Sequence, residues 1–289
     1  MPFYLHKTMK KTKIGFLHPG AMGISLAVSA QKSGFEACWI SDGRSPETRM
    51  RTKEHGLTDL DTLAHLTQTC SALVSICPPH AALDVAKSIA ALSYTGLYID
   101  ANAIAPQTAQ HIQFTVEQGG ARFVDGGVIG GPAWESGSTW LHLSGKDAEE
   151  AASFFASGAL ETNILSEEIG QASALKMAFA AYSKGTTALL AAILTTAEHF
   201  NVRTALEEQW EKHDPEFVEQ AHNRTRRVTA KAWRFAGEMD EIAATFADTG
   251  LPNGFHEAAG DIYRRMADFK DAEEKPSLEE VLKKLLANE

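Results

Sequence analysis

Lys176 lies in the stretch GQASALKMAFAAYSKG, a largely apolar helical pattern. On a regular helix, Ser173, Lys176, Ala180, Ser183 and Thr187 fall on one face. A lysine in so narrow a polar stripe is costly to bury without a partner, so it marks a cleft or a function. Desolvation brings an ammonium's proton affinity down toward the range of an acid–base catalyst. The chemistry this suits is proton delivery to an oxygen that is becoming an alkoxide, or proton removal in the reverse direction. The structural alternative is a lysine that snorkels to the surface. Lys184 shares part of the face and reads as structural or peripheral. His256, in LPNGFHEAAG, follows a loop, opens a helix and titrates near neutrality, which makes it a second candidate at the substrate.

A second constellation could hold phosphate. In KIGFLHPGAMG, Lys13 to Gly23, the three glycine positions of a dinucleotide-binding G-x-G-x-x-G loop are occupied by His18, Gly20 and Gly23. The middle glycine lets backbone approach a pyrophosphate, and the last allows close packing of the following helix. That helix offers free N–H groups and a partial positive charge at its N-terminus. Further along, Ser41 stands where an NAD-binding unit carries an acid for the ribose 2′-OH. Arg44 and Ser45 follow, and suit a 2′-phosphate with a charge-assisted contact and a hydroxyl. Thr48 and Arg51 extend the same chemistry. The pattern therefore favours NADP over NAD, with Asp42 as the contrary residue.

Positioning these groups requires particular elements. KIGFLH, EACWIS, ALVSIC, GLYIDA, RFVDGGV and TWLHLSG read as strands, alternating with helical patterns. That alternation predicts an α/β fold, a Rossmann-like doubly wound parallel sheet followed by an all-α C-terminal domain. The boundary is expected near residue 165, dividing residues 12–165 from 166–289. SLEEVLKKLLANE carries a capping box at its Ser277 start.

Composition narrows the function classes. The formal net charge is −10 with no long basic run, which disfavours nucleic acid and anionic membrane as partners. Three cysteines, Cys38, Cys70 and Cys77, form no Cys-x-x-Cys pair, so neither a disulfide framework nor a structural zinc is expected. No metal-ligand spacing and no nucleophile elbow stand out. The leader MPFYLHKTMKK lacks the apolar core of a signal peptide, and no apolar run of about 18 residues suggests a span. A cytoplasmic address is the expectation. The cluster Arg224 to Arg227 reads as a solvated face.

Four stretches, IGFLHPGAMG, YIDANAIAPQTA, FVDGGVIGGP and GQASALKMAFAAYSKG, occur in an order and spacing that resemble the β-hydroxyacid dehydrogenases. That group includes the 3-hydroxyisobutyrate, tartronate semialdehyde and 6-phosphogluconate dehydrogenases. KAWRFAGEMDEIAATFADTGLPNGFHEAA resembles the poorly characterised helical C-terminal domain of one branch. The resemblance covers nearly the whole chain after residue 12.

The resemblance implies a pyrophosphate site at Gly20, Ala21, Met22 and Gly23, and a cofactor cleft flanked by Cys77 and Pro78. It places Asn102 beside nicotinamide and substrate, Gly130 and Gly131 at a substrate carboxylate, and Lys176 as the catalytic lysine. It also implies a homodimer. Ile129, Ala180 and Met239 depart from polar residues usual in the family, which points to a more apolar or differently shaped substrate. The reading is an NADPH-dependent oxidoreductase acting on CH–OH, interconverting a hydroxy acid and its oxo acid or semialdehyde. An imine reductase on the same fold and a non-catalytic NADP-binding sensor are its rivals.

Overall fold

The computed structural model describes residues 11–272 and 274–287. The leader Met1–Lys10 therefore lies outside the described residues. Packing divides the chain into two compact units. One comprises the chain up to Asn102 together with Pro106–Ser173, the other Ala103–Ala105 and the chain from Ala174 onward. The boundary expected near residue 165 falls inside a strand, and the division by packing follows Ser173.

The first unit alternates strand and helix: β1 (Lys13–Phe16), α1 (Ala21–Lys32), β2 (Glu36–Trp39), α2 (Pro46–Glu54), β3 (Thr58–Asp59), α3 (Leu63–Thr69), β4 (Ala72–Ser75), α4 (Pro79–Ala91), β5 (Leu97–Asp100) and α5 (Pro106–Gln118). Then come β6 (Arg122–Gly130), β7 (Thr139–Ser144), α6 (Ala148–Ser153) and β8 (Glu161–Ser166). The sheet order is β3-β2-β1-β4-β5-β6-β7-β8. Every neighbouring pair is parallel except β6 with β7, which run antiparallel.

The central strands are short and apolar because both faces are covered by helices. Ile14, Phe16, Val74, Leu97, Ile99 and Val124 are wholly buried, and Ile24 and Leu26 of α1 join them. At roughly 1.5–3 kcal/mol for each large side chain removed from water, this layer dominates the unit's stability. Crossing from β1 to β4 reverses the direction of strand addition, so the loops after those strands splay apart and leave a crevice at the carboxyl edge. Six strands were expected. β3 has only two residues, and β8 is an edge strand with no fully buried position. Neither carries the apolar signal that betrays an inner strand.

The second unit is helical: α7 (Gln171–Ala180, opening in the first unit), a π-helical turn (Ala181–Gly185), α8 (Thr186–His199), α9 (Arg203–Glu211), α10 (Phe217–Arg227), α11 (Ala232–Asp248), α12 (Gly254–Arg265) and α13 (Leu278–Leu286). Met177, Ala188, Ala191, Met239, Ile242, Tyr263 and Val281 form its core. Ser277 caps α13 through the reciprocal box with Glu280. The continuous helical stretch Gln171–His199 has a mean hydropathy of 1.3 over its most apolar window, enough by length and composition to cross a membrane, and half of that window is buried inside the fold. This corrects the expectation that no stretch would pass such a test: small residues, chiefly alanine, supply the apolarity of a core helix.

Candidate functional site

The β1–α1 loop turns sharply after Leu17, whose N–H is held by the Val74 carbonyl at 3.0 Å. The Gly20 N–H then donates to the His18 carbonyl at 2.8 Å. Gly20 caps α1 without any side-chain hydrogen bond, so the first-turn amides of Ala21, Met22 and Gly23 point outward unclaimed by a cap. A Cβ at Gly20 would meet nothing within 4 Å, whereas one at Gly23 would lie 2.4 Å from the His18 carbonyl oxygen and 2.9 Å from Ile76. The first glycine is open to a ligand; the second is required by packing. His18, standing where the leading glycine is usual, is pushed down to about 4 by burial and then by the nearby Arg44 charge. It is a neutral imidazole at physiological pH, and its buried Nδ1 has no hydrogen-bond partner among the described residues.

The β2–α2 loop supplies the arginines. Arg49 donates to the Ser41 carbonyl at 2.5 Å and to the Arg44 carbonyl at 3.3 Å, which fixes the loop's shape. Arg51 reaches the Pro19 carbonyl at 3.5 Å and ties α2 to the glycine loop. Arg44 is partly buried, its proton affinity is lowered by burial, and its buried Nε has no partner among the described residues. The Ser45 hydroxyl caps α2, accepting from the Thr48 N–H at 3.3 Å, a bond that does not use the proton expected at a 2′-phosphate.

An outward first turn of α1, a bare glycine and an arginine with an unclaimed N–H together fit a dinucleotide. Gly20, Ala21, Met22 and Gly23 would hold the pyrophosphate, and Arg44 would face the ribose.

Asn102, which the resemblance places beside nicotinamide and substrate, has a buried side chain engaged by neighbouring groups. Its Oδ1 accepts from the Cys77 N–H at 2.5 Å, and its Nδ2 donates to Ser75 Oγ at 3.2 Å and Asp100 Oδ2 at 2.9 Å. Asn102 therefore clamps the ends of β4 and β5 and sets the Cys77–Pro78 turn that opens α4. Burial, and then the Asp100 charge, push the Cys77 thiol up to about 12, so it is neither nucleophile nor charge at neutral pH.

Gly130 ends β6 at φ +123°, and a Cβ there would lie 2.4 Å from the Ser138 carbonyl oxygen. Only glycine fits. The Gly131 carbonyl is held by Thr139 Oγ1 at 2.7 Å, and a Cβ at Gly131 meets open space. Both glycines lie at the same carboxyl edge of the sheet as the glycine loop.

Ser173, counted in the lysine stripe, belongs to a different device. Its hydroxyl donates to Asp125 Oδ1 at 2.6 Å, while Asp125 Oδ2 accepts from Gly170 N, Ser173 N and Ser144 Oγ at 3.0, 3.0 and 3.1 Å. This buried carboxylate, which sequence reasoning passed over, anchors the start of α7 to the sheet.

In the helical unit, Lys176 is partly buried and makes no ion pair among the described residues. Burial foremost, then the Lys184 charge, push it down to about 8, with Glu238 opposing. The π-turn interrupts the regular helix on which the stripe was projected, and the Ser183 and Thr187 hydroxyls donate to the carbonyls of Phe179 and Ser183 at 3.1 and 2.8 Å. Lys184 is structural rather than peripheral. It is ion-paired with Glu238 of α11, both side chains being nearly buried, and its ammonium sits 4.6 Å above the Phe235 ring.

Arg224 is not solvated either. It donates to Thr186 Oγ1 at 2.6 Å and Thr187 Oγ1 at 3.1 Å, bracing the turn, and Tyr263 Oη donates to the Lys184 carbonyl at 2.8 Å. His256 is buried against Phe246, with ring centroids 4.2 Å apart, and its ring also backs the π-turn at Gly185. Its proton affinity is lowered by burial. Met239, a departure from the family pattern, is core. Glu238 was missed because it lies in a charged stretch, GEMDE, where nothing local distinguishes it from its neighbours.

Comparison with known proteins bears on the family and the fold. The model for the NAD binding domain of 6-phosphogluconate dehydrogenase matches residues 13–157, and a domain of unknown function, DUF1932, matches residues 197–266. An uncharacterised 28.5 kDa protein of Methanothermus fervidus is 27% identical over 185 residues, 64% of this chain and 70% of that protein. Among solved structures, a conserved protein of unknown function described as similar to 3-hydroxyacid dehydrogenases is 27% identical, with 90% of this chain and 100% of that one covered at a TM-score of 0.65. The 3-hydroxyisobutyrate dehydrogenase of Mycobacterium tuberculosis, solved with L-serine, has the same fold at 16% identity, with 96% and 100% covered and a TM-score of 0.68.

Proposed function

The chain belongs to the β-hydroxyacid dehydrogenase superfamily, with the NAD-binding domain of the 6-phosphogluconate dehydrogenases, and on that premise we propose that it is an NADPH-dependent oxidoreductase. It interconverts a small hydroxy acid and its oxo acid or semialdehyde. The observation that carries the reading is Lys176: a partly buried lysine whose proton affinity sits at about 8, close enough to neutrality to give and take a proton.

When bound, the nicotinamide supplies or accepts the hydride. The protein does the rest. The α1 amides and Gly20 bind pyrophosphate. Arg44 meets the 2′-phosphate and sets the preference for NADP over NAD. The Asn102 clamp holds the Cys77–Pro78 turn in place. Gly130 and Gly131 present bare backbone to a substrate carboxylate. Lys176 as ammonium donates to the oxygen that gains charge as the carbonyl is reduced, and as amine takes the proton back in oxidation. His256 contributes apolar shape and a neutral ring behind the π-turn.

A second reading, reduction of C=N, is favoured by the apolar Ile129 and the buried Ala180, which offer no hydrogen bond to a hydroxy acid. Lys176 speaks for the first. The protein acts in the cytoplasm on a small molecule, without nucleic acid or membrane. It works as a homodimer through the helical unit, where Phe179, Tyr182, Leu189 and Phe200 are exposed; sedimentation velocity tests that assembly.

The function itself is tested by titrating NADPH and NADH through their fluorescence. Oxidation of the preferred cofactor then follows, with a panel of oxo acids, semialdehydes and cyclic imines. Carbonyl turnover with NADPH supports the proposal. Turnover with imines alone supports the second reading, and cofactor binding without any turnover across the panel favours a sensor.

A further inference from the structure

The π-turn has a geometric consequence for the two lysines. In an uninterrupted α-helix the steps from Lys176 to Lys184 advance roughly 800°, leaving the second lysine about 80° off the first. A π-turn gains less rotation per residue, which brings Lys184 back to within roughly 30° of the Lys176 side. The turn at Ala181–Gly185 is braced rather than accidental: Arg224 from α10 grips Thr186 and Thr187, Tyr263 from α12 donates to the Lys184 carbonyl, and Gly185 packs closely against Phe255. A Cβ there would stand 3.2 Å from the Phe255 ring. The Lys184 ammonium is then held from one side by the Glu238 carboxylate and from another by the Phe235 face, with both charged side chains nearly out of water.

Most buried ion pairs add little net stability over an apolar pair, so a pair retained beside a functional lysine invites another explanation. We propose that Lys184 and Glu238 are positioning residues that set the protonation of Lys176 through two opposed fields, the ammonium expelling its proton and the carboxylate retaining it. The inference rests on the reading of Lys176 as the proton-transfer group. Each partner's charge acts on Lys176, the Lys184 contribution exceeding that of Glu238. The other charged or titratable groups of the cluster are Arg234, acting on Glu238 from α11, Arg224 and Tyr263 at the turn, and the His256 ring behind Gly185. Because the fields oppose, removing either partner leaves the other unbalanced, and the two removals move Lys176 in opposite directions. A merely structural pair would not do so.

The test is limiting labelling of the full chain with acetic anhydride as a function of pH, read at Lys176 by peptide mass spectrometry, since only the neutral amine reacts. No substrate or cofactor is needed. Lys184→Met raises the Lys176 midpoint by about one pH unit, because Glu238 then faces Lys176 alone. Glu238→Gln lowers it by a comparable amount, because the Lys184 charge is no longer neutralised. Lys184→Arg, which keeps the charge, leaves it within roughly 0.3 units.

Should either single variant fail to fold, the double variant Lys184→Met/Glu238→Gln removes both fields together. Its midpoint stays within roughly half a unit of wild type. Shifts of the same sign in the two single variants, no shift in either, or a shift beyond about one unit in the double variant would overturn the proposal. Failure of the catalytic reading shows separately, as turnover that survives Lys176→Met while the labelling midpoints still move.

Discussion

Replacing Arg44 by alanine should convert cofactor preference without harming the fold. The guanidinium is partly buried, its Nε lacks a partner among the described residues, and burial already depresses its proton affinity. In the free protein that Nε therefore contributes no hydrogen bond that would be lost. A 2′-phosphate gives it a charge-assisted hydrogen bond, worth about 1.5–3 kcal/mol. At 1.4 kcal/mol per decade, the NADPH Kd rises about 10- to 150-fold in Arg44→Ala. NADH has no 2′-phosphate, so its Kd changes by less than about threefold.

Fluorescence titration of both cofactors on wild type and variant reads this directly, and thermal melting of the free protein should show no loss. The same substitution removes the second of the two causes that depress His18, so the His18 titration, followed by NMR, moves upward while burial keeps it below the ordinary histidine value. Equal weakening toward both cofactors, or none toward NADPH, would refute the reasoning that Arg44 faces the 2′-phosphate.

Gly23→Ala drives a Cβ to 2.4 Å from the His18 carbonyl oxygen; overpacking of this kind costs about 1–3 kcal/mol, and titration should show both cofactors weakened at least tenfold. Asp125→Ala leaves four donors facing a cavity, and the melting temperature should fall by an amount corresponding to about 3–5 kcal/mol. Lys176 is depressed in the folded state from the ordinary 10.5 to about 8, so the unfolded chain holds more protons between those values and stability rises with pH across that window. Lys176→Met should therefore melt higher than wild type at pH 7, with the gain shrinking toward pH 10; a lower melting temperature at both would contradict the buried charge. His18, depressed from 6.5 to about 4, takes up its proton on unfolding first, so stability falls as pH drops through that interval, and His18→Gln should flatten the fall in a pH-resolved melt.

Much of this molecule was legible from residues alone because its inner strands are continuous apolar runs between helical repeats. β1, β4 and β5 announce themselves in KIGF, ALVS and LYID, and the order of glycines after β1 identifies the cradle. What escaped reading depends on contacts distant in sequence. Asn102 sits in the right motif, yet its amide is consumed by Ser75, Cys77 and Asp100, and no spacing rule distinguishes a clamp from a contact with substrate. Ser173 fell on the lysine face of an ideal helix, but Asp125, an acid in mid-strand, claims it. The stripe beyond Ala180 was projected along a straight helix, which the π-turn interrupts. Lys184 and Glu238 lie on different helices, and only their meeting in space turns two ordinary surface types into a nearly buried pair.

Turnover of Lys176→Met on the best substrate from the carbonyl panel, alongside its NADPH affinity, bears most directly on the catalytic role. Loss of a positioned acid–base group costs about 10²- to 10⁴-fold in rate, while the cradle at Gly20–Gly23 is untouched. The expected result is a kcat/KM lowered by at least about 100-fold with an NADPH Kd within about threefold of wild type. A variant that turns over within about tenfold of wild type would show that the proton comes from elsewhere.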